Sequence, residues 1–200
     1  MREQLLSICN QTRKPDEIII CDDNSSDMTS AIIKSFMDET QIPIYYFENV
    51  ERMGYAENFK KALALAQGDI IFFSDQDDIW EKEKIEVCAD FFDKYASALA
   101  LSTSYCLIDG NGNYKKENFF YNFHSVKKIR KIEWKAFIKH PKYPGMAMAV
   151  RRKLIDRVVL TDDSREIPHD WLFNEAASYH GGMYFLNVNL TRYRIHENNT

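Results

Sequence analysis

Two hundred residues, 45% hydrophobic and 28% charged, suffice for one substantial core and match the composition of ordinary globular enzymes. A formal net charge of −4 argues against a protein whose main work is coating nucleic acid, so an anionic ligand must be met locally by a metal or particular side chains. Cys9, Cys21, Cys88 and Cys106 lie too far apart for a zinc or redox pair, which implies free thiols in a reducing cytosolic setting, and no apolar run approaches the roughly 20 residues that span a bilayer.

In chain order, Arg2 to Asn10 reads as part of a helix with apolar positions at Leu5, Leu6, Ile8 and Cys9, entered in its middle. Glu17 to Cys21 is a β-branched run ending in Asp22-Asp23-Asn24-Ser25-Ser26-Asp27, where Ser26 or Asp27 can cap a helix carrying Ala31, Ile32, Ile33, Phe36 and Met37. Pro43 to Phe47 follows as a strand, Tyr55 to Gln67 as a helix stopped by Gly68, and Ile70 to Phe73 as a strand. Alternation of strand and helix predicts a largely parallel sheet covered on both faces.

Glu81 to Tyr95 predicts another helix, with Ile85, Val87, Cys88, Phe91 and Phe92 apolar, and Ala98 to Ile108 a strand ending in the tight turn Asp109-Gly110-Asn111-Gly112. Asn113 to Arg130 loses periodicity and reads as a long connection. Beyond it the pattern suggests a short helix at Glu133 to His140, a strand at Met146 to Val150, and helices at Arg152 to Val158 and His169 to Tyr179. Tyr184 to Val188 and Leu190 to Ile195 read as a closing pair of strands.

The chemistry concentrates in Ile70-Ile71-Phe72-Phe73-Ser74-Asp75-Gln76-Asp77-Asp78-Ile79-Trp80, a buried strand running into three carboxylates. Such acids repel one another unless a metal cation or a basic group sits among them, and Mg²⁺ or Mn²⁺ prefers oxygen ligands. A solvated polar loop with Asp78 capping the next helix is the plain alternative. Asp22-Asp23 also ends a strand, and parallel topology would bring both acidic clusters to one sheet edge, where ligands of open α/β sheets bind; an Asx turn accounts for that pair equally well. Asp170 alone reads as an acid favourable to a helix dipole.

Together these segments resemble the inverting family 2 glycosyltransferases. The resemblance is carried by QLLSICNQT (4–12), EIIICDDNSSD (17–27), NVERMGYAEN (49–58), GDIIFFSDQDDIW (68–80), PGMAMAVRR (144–152), His169-Asp170-Trp171 and YRIHENNT (193–200), in matching order. It is nearest the rhamnosyltransferase-like branch that builds bacterial surface polysaccharides. The resemblance implies the GT-A (nucleotide-diphospho-sugar transferase) fold, an α/β fold with a mostly parallel central sheet and helices on both faces. It also implies a dTDP- or UDP-sugar donor, a glycan or lipid-linked acceptor and a Mn²⁺ or Mg²⁺ cofactor.

By position, the resemblance makes Asp170 the catalytic base and assigns Asp22, Asp23, Asn58 and Asp75 to the nucleotide. Gly145, Met146, His169 and Trp171 fall to the donor or acceptor sugar, and Asp77, Asp75 and His196 to the metal, with Asp77 the direct ligand of a DXD motif. His169 replaces the first acid of the family's usual acidic pair. A basic region, Lys127, Lys128, Arg130, Lys131, Lys135, Lys139 and Lys142, among Phe119, Phe120, Tyr121, Phe123 and Trp134, can face a lipid-linked diphosphate or an anionic membrane, a solvated charged face being the plain alternative; the expected location is the cytoplasm, with peripheral contact at the inner membrane face on the first reading.

Family members begin with a strand ending in a Thr-Tyr-Asn type turn, and this chain starts in the helix that follows it. Residues 1–200 are therefore expected to form a single, N-terminally incomplete GT-A domain lacking the first strand, of weak stability and little turnover. Two rivals stay open: a degenerate module that binds nucleotide or glycan without catalysis, and a haloacid-dehalogenase-like phosphatase with Asp75 as nucleophile and Asp77 as acid/base. In the latter, Ile79 stands where a Thr or Val is expected.

Overall fold

The computed structural model describes residues 1–115, 129–137, 143–159 and 169–195. Helix α1 (Arg2–Cys9) buries Leu5 and Ile8 and leads to strand β1 (Ile18–Asp22), helix α2 (Thr29–Met37) and strand β2 (Ile44–Glu48). Leu5, Phe36 and Ile44 form a small core between these helices and strands, with Ile18 and Ile20 packed on it. Helix α3 (Tyr55–Leu65), strands β3 (Ile70–Phe72) and β4 (Ile79–Trp80), helix α4 (Lys84–Lys94) and strand β5 (Ala100–Ile108) follow. After strand β6 (Ile129–Lys131) come a 3₁₀ turn at Trp134–Phe137, another at Gly145–Ala147, strand β7 (Met148–Arg151), helices α5 (Arg152–Val159) and α6 (His169–Tyr179), and strand β8 (Met183–Arg194).

The α/β class stands, with helices on both sheet faces, and the period of two along the strands shows how. Ala100, Met148, Val150 and Phe185 point to one side, where they pack with Leu154 and Ile155 of α5 and Phe173 and Ala177 of α6. Their neighbours Leu101, Ala149 and Leu186 point to the other and meet Cys88, Phe91 and Phe92 of α4. Each fully buried Val, Leu, Ile, Phe or Met among them contributes roughly 1.5–3 kcal/mol, so the two faces together hold the sheet between its helices.

The largely parallel sheet is corrected. Among the described residues β1–β2 and β5–β8 are parallel, whereas β3–β7, β4–β8, β5–β7 and β6–β8 are antiparallel. The chain returns along β7 antiparallel to both β3 and β5 and then reaches β8, parallel to β5, by way of α5 and α6, an order that alternation in the first half of the chain could not reveal. The strands also divide: β1 and β2 form one sheet, and β3-β7-β5-β8-β4 another with β6 on β8. Between them Ile18 of β1 and Phe72 of β3 pack on a common cluster of Ile8, Trp80 and Ile85, without ladder hydrogen bonds joining β1 to β3.

Three boundaries differ from expectation. The closing pair of strands is one strand, β8: the expected break falls at Asn189, but the chain bulges beside it opposite Ser104, whose hydroxyl lies 2.8 Å from Asn187 Oδ1. The strand expected from Met146 begins at Met148, because Gly145–Ala147 coils into a 3₁₀ turn. The short helix at Glu133 is a 3₁₀ turn over Trp134–Phe137, and positions 138–140 lie outside the described residues.

Candidate active site

Asp75 to Asp78 form the turn between β3 and β4, and helix α1 clamps it from outside. Gln4 Nε2 donates to Ser74 Oγ at 2.7 Å, Ser7 Oγ accepts from the Trp80 N–H at 3.0 Å, and Gln11 bonds both the Glu81 carbonyl and the Ile85 N–H. Arg194, at the end of β8, closes the other side: its Nε donates to the Asp77 carbonyl at 2.9 Å, its backbone N–H to Asp78 Oδ1 at 3.0 Å, and its Nη2 to Glu3 Oε2 at 2.7 Å. Neither Arg194 nor Gln11 is legible as a support from spacing, since both act across 70 residues or more.

Asp78 is not the cap of α4. It is fully buried, with Oδ1 held by Arg194 and Oδ2 accepting no hydrogen bond among the described residues, while α4 begins six residues later at Lys84. Burial pushes its carboxyl up to about 7; the Arg194 N–H opposes this, and the charges of Asp75 and Asp77 add to it. Burial, then the charges of Asp77 and Asp170, push the half-buried Asp75 up to about 6. The structure therefore brings Asp170 of α6 into the field of the β3–β4 turn. Phe73 and Phe173 pack with ring centroids 5.4 Å apart and planes tilted by 30°, which sets α6, with Asp170 in its first turn, against the end of β3.

These shifts have a definite sign. Asp78 titrates near 3.8 when unfolded and about 7 when folded, so between those values the folded chain binds a proton that the unfolded chain lacks. Stability contributed by the protonated form is complete below the unfolded pKa and is lost as pH rises through the folded one, Asp75 acting in the same direction up to about 6. Asp78→Asn should therefore flatten the fall in stability of the metal-free chain, by up to about 1.4 kcal/mol per pH unit. Urea midpoints measured across this range test it; parallel curves for the two proteins would contradict it.

The second acidic cluster is a built turn. Asp22 is buried, its Oδ1 accepting from the Ser25 N–H at 2.9 Å and its Oδ2 from the Tyr46 hydroxyl at 2.8 Å. Asp23 Oδ1 accepts from Asn49 Nδ2 and the Met53 N–H, and Oδ2 from the Gly54 N–H at 2.9 Å. Gly54 has φ 85°, which turns two successive N–H groups onto one carboxylate and opens α3. These donors, the Met53 N–H foremost, hold Asp23 below the usual carboxylate range. Three of about four acceptor positions are filled, leaving capacity for one further donor. Asn58 joins the same network, bridging Asn49 and the Cys21 carbonyl at 3.0 and 2.7 Å.

Of the remaining candidates, Gly145 and Met146 are buried in their 3₁₀ turn, His169 opens α6, and Trp171 beside Asp170 is 48% exposed. His196 lies outside the described residues. So do most of the basic positions, Lys127, Lys128, Lys139 and Lys142, and Phe119, Phe120, Tyr121 and Phe123; Lys131, Lys135 and Trp134 are described and exposed. No helix among the described residues is long and apolar enough to cross a membrane.

Asp75 and Asp77 suit Mg²⁺ or Mn²⁺ in donor chemistry: both are hard oxygen ligands, and the Asp75 carboxyl, raised first by burial and then by the charges of Asp77 and Asp170, is one a cation would return to its ionised form. Among the described residues no three His, Cys, Asp or Glu side chains are grouped to hold a metal ion. Two carboxylates with the balance from water and substrate phosphates is the usual pattern for these cations. One basic residue under the turn escaped the sequence reading. Lys84, 1% exposed, donates to the Met146 carbonyl at 2.7 Å and to Thr191 Oγ1 at 2.9 Å, with its ammonium 4.1 Å from the centroid of the Trp80 ring.

Residues 1–159 match the family described as Glycosyl transferase family 2. The chain is 36% identical over 108 residues to a Bacillus subtilis (strain 168) protein that carries the provisional name teichuronic acid biosynthesis glycosyltransferase TuaG, covering 53% of this chain and 41% of that protein. It is 28% identical to the dTDP-rhamnosyl transferase RfbG of Shigella flexneri, over 100% of this chain and 69% of the relative. In structure it is similar to S. aureus TarS 1-349 in complex with UDP-GlcNAc, with a TM-score of 0.76 at 19% identity, covering 98% of this chain and 55% of the other, which bears on the fold alone. The chain thus spans about half the length of that structure and less than half of the Bacillus relative.

Proposed function

Since the chain belongs to glycosyl transferase family 2, we propose that its acidic crevice serves transfer of a sugar from a dTDP- or UDP-linked donor to a glycan or lipid-linked acceptor. The setting is synthesis of bacterial surface polysaccharide, and the anomeric centre is inverted. The observation that carries this reading is the convergence of Asp75, Asp77 and Asp170, from two elements nearly a hundred residues apart, at the carboxyl end of β3. The relative named for dTDP-rhamnosyl transfer favours rhamnose as the sugar.

In this mechanism Asp170 accepts the proton of the acceptor hydroxyl as that oxygen attacks the anomeric carbon, and the carbon–oxygen bond to the diphosphate breaks with its electron pair leaving on the nucleotide. Asp75 and Asp77 would hold Mg²⁺ or Mn²⁺, which when bound stabilises the negative charge developing on the leaving diphosphate. Asp23, with its remaining acceptor capacity, takes a nucleobase N–H, while Asp22 and Asn58 hold the turn that presents it. Gly145, Met146, His169 and Trp171 border the sugar, Trp171 offering an exposed aromatic face. Lys131 and Lys135 belong to the basic region proposed to meet a lipid-linked acceptor or the membrane.

Incubation with Mn²⁺, a UDP- or dTDP-sugar and a polyprenyl diphosphate-linked saccharide is expected to release the nucleoside diphosphate and lengthen the acceptor. A second reading is a binding module without turnover, in which the preformed hydrogen-bonded turn around Asp23 holds a nucleotide. Tight nucleotide binding with no extension from any donor would select it over the enzyme.

A further inference from the structure

Lys84 stands where a lysine is doubly unfavourable. It is the first residue of α4, where the helix dipole disfavours a cation, and it lies on the buried face shared by Cys88, Phe91 and Phe92. Burying an ammonium is costly unless several partners compensate, so its presence calls for a role that an apolar residue of the same length would not fill.

The compensating partners define that role, because each belongs to a different piece of the candidate site. The Met146 carbonyl, at 2.7 Å, lies in the 3₁₀ turn assigned to the sugar. Thr191, whose hydroxyl accepts at 2.9 Å and itself donates to the same Met146 carbonyl at 3.3 Å, lies on β8 three residues before Arg194. The Trp80 ring, 4.1 Å away, closes the turn that carries Asp75, Asp77 and Asp78.

We propose that Lys84 is a positioning residue of the donor site, joining the Asp75–Asp78 turn to the Gly145–Ala147 turn from beneath so that the carboxylates and the sugar-facing wall keep one mutual geometry. This rests on the donor-site reading above. Lys84 contacts neither cation nor sugar; it acts through Met146, Thr191 and the acidic turn.

The test compares UDP and dTDP affinities by calorimetry, in Mn²⁺ and in EDTA, for the wild type and Lys84→Met, with thermal melts of both. Lys84→Met is expected to melt cooperatively and keep its EDTA affinity, while the Mn²⁺-dependent gain in affinity falls by about tenfold or more, as for other residues that support metal ligands indirectly. A merely structural lysine would lower the melting temperature and leave the Mn²⁺ gain untouched, which overturns the proposal while the donor-site reading survives. A wild type without any Mn²⁺ gain for either nucleotide overturns both. If Lys84→Met does not melt cooperatively, Thr191→Val, which keeps the ammonium but deletes one of its acceptors, decides: a reduced Mn²⁺ gain supports the role, and an unchanged gain overturns it.

Discussion

Asp170→Asn should lower the rate of sugar transfer by about 10²–10⁴-fold, the range over which a positioned general base contributes, equivalent to roughly 3–5 kcal/mol in the barrier. Asparagine preserves the size of the side chain and its acceptor for the Trp171 N–H, at 2.9 Å in the wild type, so the first turn of α6 has no reason to move. What disappears is the ability to take a proton. UDP or dTDP affinity should change little, because Asp170 is assigned to the acceptor side and its link to Asp75 is repulsive. A stopped assay of acceptor extension beside calorimetric nucleotide binding separates the two quantities. Transfer persisting near the wild-type rate would remove Asp170 from the reaction, and loss of nucleotide affinity would move it to the donor side.

The second large effect is expected at Asp77. Asp77→Ala should abolish most of the Mn²⁺-dependent gain in nucleotide diphosphate affinity, exceeding the roughly 10–100-fold losses caused by changes one shell further out. The carbonyl that Arg194 binds belongs to the backbone and survives the substitution, so the turn keeps its main clamp. Without the Asp77 charge the Asp75 carboxyl should move back toward the usual carboxylate range, since Asp77 is the first-ranked charge raising it after burial. Asp75 alone is then one ligand where two are needed. Calorimetric titration of UDP and dTDP with and without Mn²⁺ measures the change. An unaltered Mn²⁺ gain would reassign the DXD motif to a structural turn.

The two predictions fail independently, one through proton transfer and one through cation-dependent binding. A degenerate module would show the Asp77 effect on binding and no transfer for Asp170 to control. A phosphatase would require Asp75 to attack phosphate, yet burial and its acidic neighbours hold that carboxyl near 6, which weakens it as an anionic nucleophile at lower pH.

Much of the site was legible because its signals are local. Four apolar residues running into Asp75, Asp77 and Asp78 mark a strand end whatever the rest of the chain does, and Asp22-Asp23 after Ile18 to Cys21 does the same. The period of helix α4 is equally readable, down to the apolar positions Ile85, Cys88, Phe91 and Phe92 that are buried in the structure. Strand direction was not legible in the second half, where β7 returns antiparallel to both β3 and β5. Nor was the continuity of β8, whose bulge at Asn187 to Asn189 imitates a turn.

Asp78 and Lys84 show the division most clearly. By spacing, Asp78 is an acid just before a helix and Lys84 a lysine within one, and both suit a solvated surface. Chain composition, the family resemblance and the order of the acidic motifs are properties of neighbouring residues, and the sequence determined them by itself. Which acid is buried, which lysine lies beneath it, and that Asp170 faces Asp75 depend on contacts between residues roughly ten to more than a hundred positions apart. Only the tertiary structure decided these, because the energy of a buried charge is set by the groups that fold around it, through desolvation and Coulomb terms that no local pattern encodes.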